Sequence, residues 1–74
     1  MLDGQLDGDK VRHLRMERRK RQTELAREVG ISDAWLRRIE LHSDQPSDVV
    51  ALKLADALQV PVVDLLADTE GEAA

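Results

Sequence analysis

In the stretch SDAWLRRIE, residues 32–40, two arginines, Arg37 and Arg38, follow Ala34 by three and four positions. In a helix that spacing puts all three side chains on one side. An arginine carries a fork of donors that bonds bidentately to guanine or to a phosphate. An alanine at the outermost point lets the helix backbone come close to whatever that face meets. On a wheel of about 100° per residue, Leu36 and Ile39 point inward, Ala34 lies opposite them, and Trp35 and Glu40 fall on the two borders. The shape suits insertion into the major groove of DNA. An ordinary solvated helix face with two arginines would look the same.

Other chemistries find little support. No Ser/His/Asp order, phosphate-cradling loop or paired-carboxylate pattern is present, so no catalytic role is expected. His13 and His42 have no second ligand at metal spacing, and the chain has no Cys. Both histidines therefore read as surface residues, with no metal and no cofactor expected. No small-molecule ligand is evident. No stretch approaches the roughly 20 apolar residues of a membrane span. The start, MLDGQLDGD, lacks the basic-then-apolar order of a signal peptide, and the chain reads as cytoplasmic.

The net charge of −4 over 74 residues is unevenly spread. Residues 10–38 hold ten Lys and Arg against four acids, whereas residues 39–74 hold Lys53 against eight acids. A split domain with one basic half suits a polyanion on one side only. Chance clustering on a solvated surface is the competing explanation.

The elements that must position these residues are short helices. Residues 1–8 read as a flexible acidic arm and residues 68–74, DTEGEAA, as an acidic flexible tail, leaving a domain over 9–67. Asp9 can cap a first helix running to about Arg19, with Val11 and Leu14 inward and Arg15 and Arg18 on the same stripe. A second helix spans Gln22 to Val29, with Leu25, Ala26 and Val29 inward and Gly30 as its stop. Ser32 caps a third, from Asp33 to about Leu41. Ser47 caps a fourth, Asp48 to Leu58, and Pro61 opens a fifth from about Val62 to Ala67. No Val/Ile/Thr run alternates with period two, so no sheet is predicted. The fold class is all-α, a bundle of five short helices. With so few residues it must be stabilised by one apolar core.

The ordered set QTELAREVGIS followed by WLRRIE resembles the helix-turn-helix of the Cro/CI-type family, the xenobiotic-response-element-like DNA-binding domains. The matching positions are Gln22, Leu25, Ala26, Gly30, Ile31, Ser32, Leu36, Ile39 and Glu40. The likeness extends forward through Pro46, Ser47, LADAL at 54–58, Val60 and the leucines 65 and 66. Backward it takes in Val11, Arg12, Leu14 and Arg15. It implies a compact lambda-repressor-like bundle whose second helix braces against the DNA backbone and whose third enters the major groove. By this resemblance Gln22 holds a phosphate, Ser32, Asp33, Ala34 and Arg38 face bases or phosphates, and Arg37 does either. Trp35, on a border, either packs partly or touches DNA. Arg15 and Glu40 match a pair that forms a buried salt bridge in several relatives.

The sequence departs from the family in several places. The usual Gly-Leu-Ser between the first two helices is Arg19, Lys20 and Arg21 here, which adds charge close to the expected phosphate track and leaves the helix boundary open. His42 replaces a usual glycine and leaves the end of the third helix open. Asp48 stands where an apolar residue is usual. Asp33, an acid on the DNA-facing side, would repel phosphate but can accept a hydrogen from cytosine N4. Val49, Leu52 and Val63 are apolar where the family pattern expects solvent, which makes them a candidate dimer patch unless a shifted fourth helix buries Val49 and Leu52 in its own core. The expectation is a sequence-specific double-stranded-DNA-binding transcriptional regulator, a repressor, acting as a homodimer on a palindromic operator. The alternative is a protein-interaction module on the same fold, such as an antitoxin or a polymerase-docking regulator.

Overall fold

Each helix of the chain is bounded by a local backbone event that its sequence encodes. The computed structural model describes residues 4–67. Four helices and one 3₁₀ turn follow in order: α1 Gly8–Glu17, α2 Gln22–Val29, α3 Asp33–Glu40, α4 Asp48–Leu58, and the turn Val62–Leu65. Ser32 and Ser47 cap α3 and α4 with their side-chain oxygens, and Gly30 ends α2 in the left-handed region at φ 87°. Four helices stand where five were expected. The fifth is a single 3₁₀ turn, because Leu66 is already extended and pairs with Leu6 in an isolated antiparallel bridge. A residue committed to a bridge cannot continue a helix.

α1 also differs from its expected limits. Asp7, not Asp9, is the cap, its Oδ1 accepting the Asp9 backbone N–H at 2.9 Å. The helix stops at Glu17 rather than near Arg19, since Arg19 turns left-handed at φ 56°. His42 does the same after α3 at φ 64°. Arg19 and His42 thus both carry side chains in the left-handed region, at a cost of roughly 1 kcal/mol each.

Residues 5–8, expected within a flexible arm, are held in the fold. Leu6 is buried, and the Gln45 carboxamide clamps its backbone, accepting from Leu6 N at 3.1 Å and donating to Leu6 O at 3.0 Å. Asp7 N donates to Leu65 O and Ala67 N to Gln5 O, each at 2.7 Å. Lys10 Nζ donates to Leu66 O at 2.7 Å. One core leucine and these hydrogen bonds hold a stretch that is otherwise acidic and glycine-containing. Residues 1–3 of the expected arm and the expected tail, residues 68–74, lie outside the described residues.

The core joins all these elements: Leu6, Val11, Leu25, Ala26, Val29, Leu36, Ile39, Ala51, Leu54, Ala55, Leu58 and Leu65 are buried. In α4 the buried set, Ala51, Leu54, Ala55 and Leu58, recurs at helical spacing. Val49 and Leu52 consequently point outward, so the fourth helix is not shifted to bury them. No helix among the described residues is long and apolar enough to cross a membrane.

Candidate nucleic-acid interface

Ser32 sets the start of α3: its Oγ accepts the Trp35 backbone N–H at 3.0 Å, leaving Asp33 and Ala34 in the first turn. Just before it, Gly30 N and Ile31 N both donate to Ala26 O, at 2.8 and 3.0 Å, which closes α2 and turns the chain sharply into α3. Leu36, Ile39 and Glu40 are buried, so Ser32, Asp33, Ala34, Arg37 and Arg38 are left exposed on the other side. Trp35 is half-buried and packs against the core. Arg37 and Arg38 occupy the last turn, where the helix dipole favours cations. Arg38 Nε lies 3.5 Å from the Asp44 carboxylate, and half of its side chain remains exposed.

Beneath this face lies a buried polar network. Arg15 forks onto Glu40, with Nε 2.8 Å from Oε2 and Nη2 3.1 Å from Oε1. Its Nη1 donates to Lys20 O at 2.9 Å. Gln22 Nε2 donates to Glu40 Oε1 at 3.0 Å, so the first residue of α2 is tied to the last of α3. Glu40 is only 3% exposed, yet no buried side-chain polar atom among the described residues lacks a partner. A buried charge satisfied on every side costs far less than an unpaired one.

The basic connection between α1 and α2 divides in two. Arg19 and Arg21 are exposed. Arg21 occupies the cap position of α2, and Glu24 Oε1 accepts its backbone N–H at 2.8 Å. That is the half of a capping box an arginine can support, because a guanidinium has no acceptor. Lys20, expected beside them on the phosphate track, turns into the fold instead. Its Nζ lies 2.6 Å from Glu28 Oε1 and donates to Ala57 O at 3.2 Å, near the end of α4. Spacing placed Lys20 in the right loop, but the acid on α2 and the open carbonyl on α4 draw its ammonium away.

A cleft of about 400 Å³ opens where α1 meets the end of α3, lined in part by Asp9, Arg12, Gln22, Arg37 and His42. It brings Arg12, noted in the sequence only as part of the first helix, alongside Gln22 and Arg37. The spacing of Asp9, Arg12 and Arg15 by threes was the available clue to that shared stripe. His42 is not isolated: the carboxylates of Asp7 and Asp9 both lie within 4 Å of its Nε2. No sequence spacing could have announced that proximity, because it depends on how α1 docks against α3.

A family model described as a helix-turn-helix domain matches residues 8–67. Comparison with curated proteins gives no match. Among solved structures, the P22 c2 repressor in complex with synthetic operator 9T is 32% identical with a TM-score of 0.78, over 84% of this chain and 94% of that one. The restriction-modification controller protein C.AhdI from Aeromonas hydrophila is 30% identical with a TM-score of 0.77, over 80% of this chain and 89% of that one. SinR, a master regulator for biofilm formation solved in complex with DNA, is 30% identical with a TM-score of 0.75, over 80% of this chain and 98% of that one. With the turn at Gly30, the capped and outward-facing α3 and a match spanning nearly all the described residues, the chain belongs to the helix-turn-helix domain family, of the Cro/CI type.

Proposed function

We propose that the protein is a sequence-specific double-stranded-DNA-binding transcriptional repressor acting as a homodimer on a palindromic operator. The outward side of α3 carries this reading: Asp33, Ala34, Arg37 and Arg38 are exposed on a helix held from behind by Leu36, Ile39 and the buried Glu40. The likeness to the P22 c2 repressor in complex with its operator supports it. In this reading Ser32, Asp33, Ala34 and Arg38 face base edges, with Asp33 accepting from cytosine and Arg38 donating to guanine. Arg37, Arg19 and Arg21 meet phosphates. Gln22 gives a phosphate the amide hydrogen that Glu40 does not take. Trp35 supports the face from its border.

Footprinting and gel shifts on the DNA upstream of the protein's own coding sequence test the proposal. Salt-sensitive protection of a palindrome is expected. Absence of protection, with a co-purifying protein, would replace the reading with an interaction module. Arg38→Ala should cost about 1–3 kcal/mol on the operator and little on scrambled duplex. Equal weakening of both would make Arg38 a phosphate clamp.

The dimer rests on a second observation. Val49 and Leu52 on α4 and Val63 on the 3₁₀ turn are exposed by 59%, 47% and 63%, which leaves three branched apolar side chains in water on two elements that pack together. Two-fold pairing would set two copies of α3 about 34 Å apart, one turn of DNA. Sedimentation of the wild type should give a dimer and the Leu52→Glu/Val63→Glu variant a monomer. A monomeric wild type, or a variant that still dimerises, would refute the patch.

A further inference from the structure

Asp7 caps α1, Asp9 lies in its first turn, and His42 follows the end of α3. Docking of the two helices brings their polar ends together. His42 Nε2 is 3.2 Å from Asp9 Oδ1 and 3.9 Å from Asp7 Oδ1, and the three ligand atoms all lie within 4.8 Å of one another. An ion bound at about 2.1 Å to each ligand in tetrahedral geometry sets those ligands about 3.4 Å apart. The two histidine–carboxylate separations bracket that value, and the two carboxylate oxygens lie within 4.8 Å of each other.

Two of the three donors sit on backbone that is hydrogen-bonded into the fold. Asp7 is fixed by its cap bond to Asp9 N and by the bond from its own backbone N–H to Leu65 O. The His42 backbone N–H donates to Ile39 O at 3.2 Å in a left-handed turn at φ 64°. Two carboxylates and a neutral imidazole leave two negative charges for a cation to neutralise. The imidazole nitrogen favours zinc-like ions over magnesium or calcium, whose preferred ligands are oxygens. We propose that Asp7, Asp9 and His42 form a binding site for a divalent transition-metal ion of the zinc class, with water in the remaining position. The site staples the first turn of α1 to the turn that follows α3. It involves none of the residues assigned to base reading, and it stands or falls independently of DNA binding.

The test is calorimetric titration of the full chain, free of any histidine tag, with Zn²⁺, together with thermal melts. One Zn²⁺ per chain is expected, with a dissociation constant in the micromolar range and a raised melting temperature. Asp9 is largely exposed, so Asp9→Asn leaves the fold intact, and His42→Gly preserves the left-handed turn. Removing an outer-shell partner alone typically costs metal sites about 10–100-fold in affinity, so each ligand variant should lose roughly tenfold or more, together with the thermal shift. Affinity unchanged in both variants would overturn the proposal by placing the zinc elsewhere. So would Zn²⁺ binding no tighter than millimolar, or Mg²⁺ binding as well as Zn²⁺.

Discussion

Glu40→Ala should lower the stability of the domain by about 3–5 kcal/mol, a large share of what a small domain has. The variant would leave the Arg15 guanidinium, 12% exposed, facing a cavity with one of its three bonds intact, that to Lys20 O. Gln22 would lose its acceptor as well, loosening the start of α2 from the end of α3. Replacing both charges, as in Arg15→Met/Glu40→Ala, should recover much of the loss, because no unpaired charge remains buried. Thermal or urea melts of the three variants measure this. An unchanged melting temperature for Glu40→Ala would rule out the buried pair, and a double variant worse than either single would show that the network matters beyond charge compensation.

Gly8→Ala is expected to cost about 3 kcal/mol by a different route. Gly8 is buried where α1 docks against α3, and a Cβ there would overlap the carbonyl oxygens of Ile39 and Glu40. Both obstacles are backbone, so no side chain can rotate aside and the helices must separate. Separation would pull at the Arg15–Glu40 pair, whose geometry depends on the same docking. Gly30 provides the contrast. Its Cβ position is open, but its φ of 87° penalises any side chain, so Gly30→Ala should cost only about 1 kcal/mol. Melts of the two variants side by side separate a steric limit from a conformational one. Equal costs would mean that α1 and α3 can part without penalty.

The helices were legible wherever a cap and an apolar stripe agreed. Ser32, Ser47 and Gly30 marked ends that the structure keeps, and Leu25, Ala26, Val29, Leu36 and Ile39 are buried on the faces their spacing selects. At the start of α1 the expected cap, Asp9, lies instead in the first turn, and Asp7 takes its place. The docking of Leu6 and the single bond from Asp7 N to Leu65 O fix Asp7 there, a long-range effect that local sequence does not carry. Lys20 shows the limit for surface charge: its loop is predictable, but its direction is fixed by Glu28, eight residues on, and by Ala57, 37 residues on. The Asp7, Asp9 and His42 cluster was hidden for the same reason, since proximity between distant residues is a property of packing and leaves no periodic trace.

The Leu6–Leu66 bridge gives the fold a seam as well as a closure. It joins the two ends of the described chain, so forming it confines nearly the whole polypeptide, and such long-range pairings are slow to form during folding. Opening the seam would uncover Leu6 and Leu65 and free the backbone groups of residues 5–7 and 65–67. Residues 5–7 would then present unpaired backbone groups beside an uncovered Leu6, a template on which the same segment of another molecule could pair. A short β-like contact between residues 5–7 and 65–67 thus closes the described fold, and Gln45, which grips Leu6 from the side, acts as its latch.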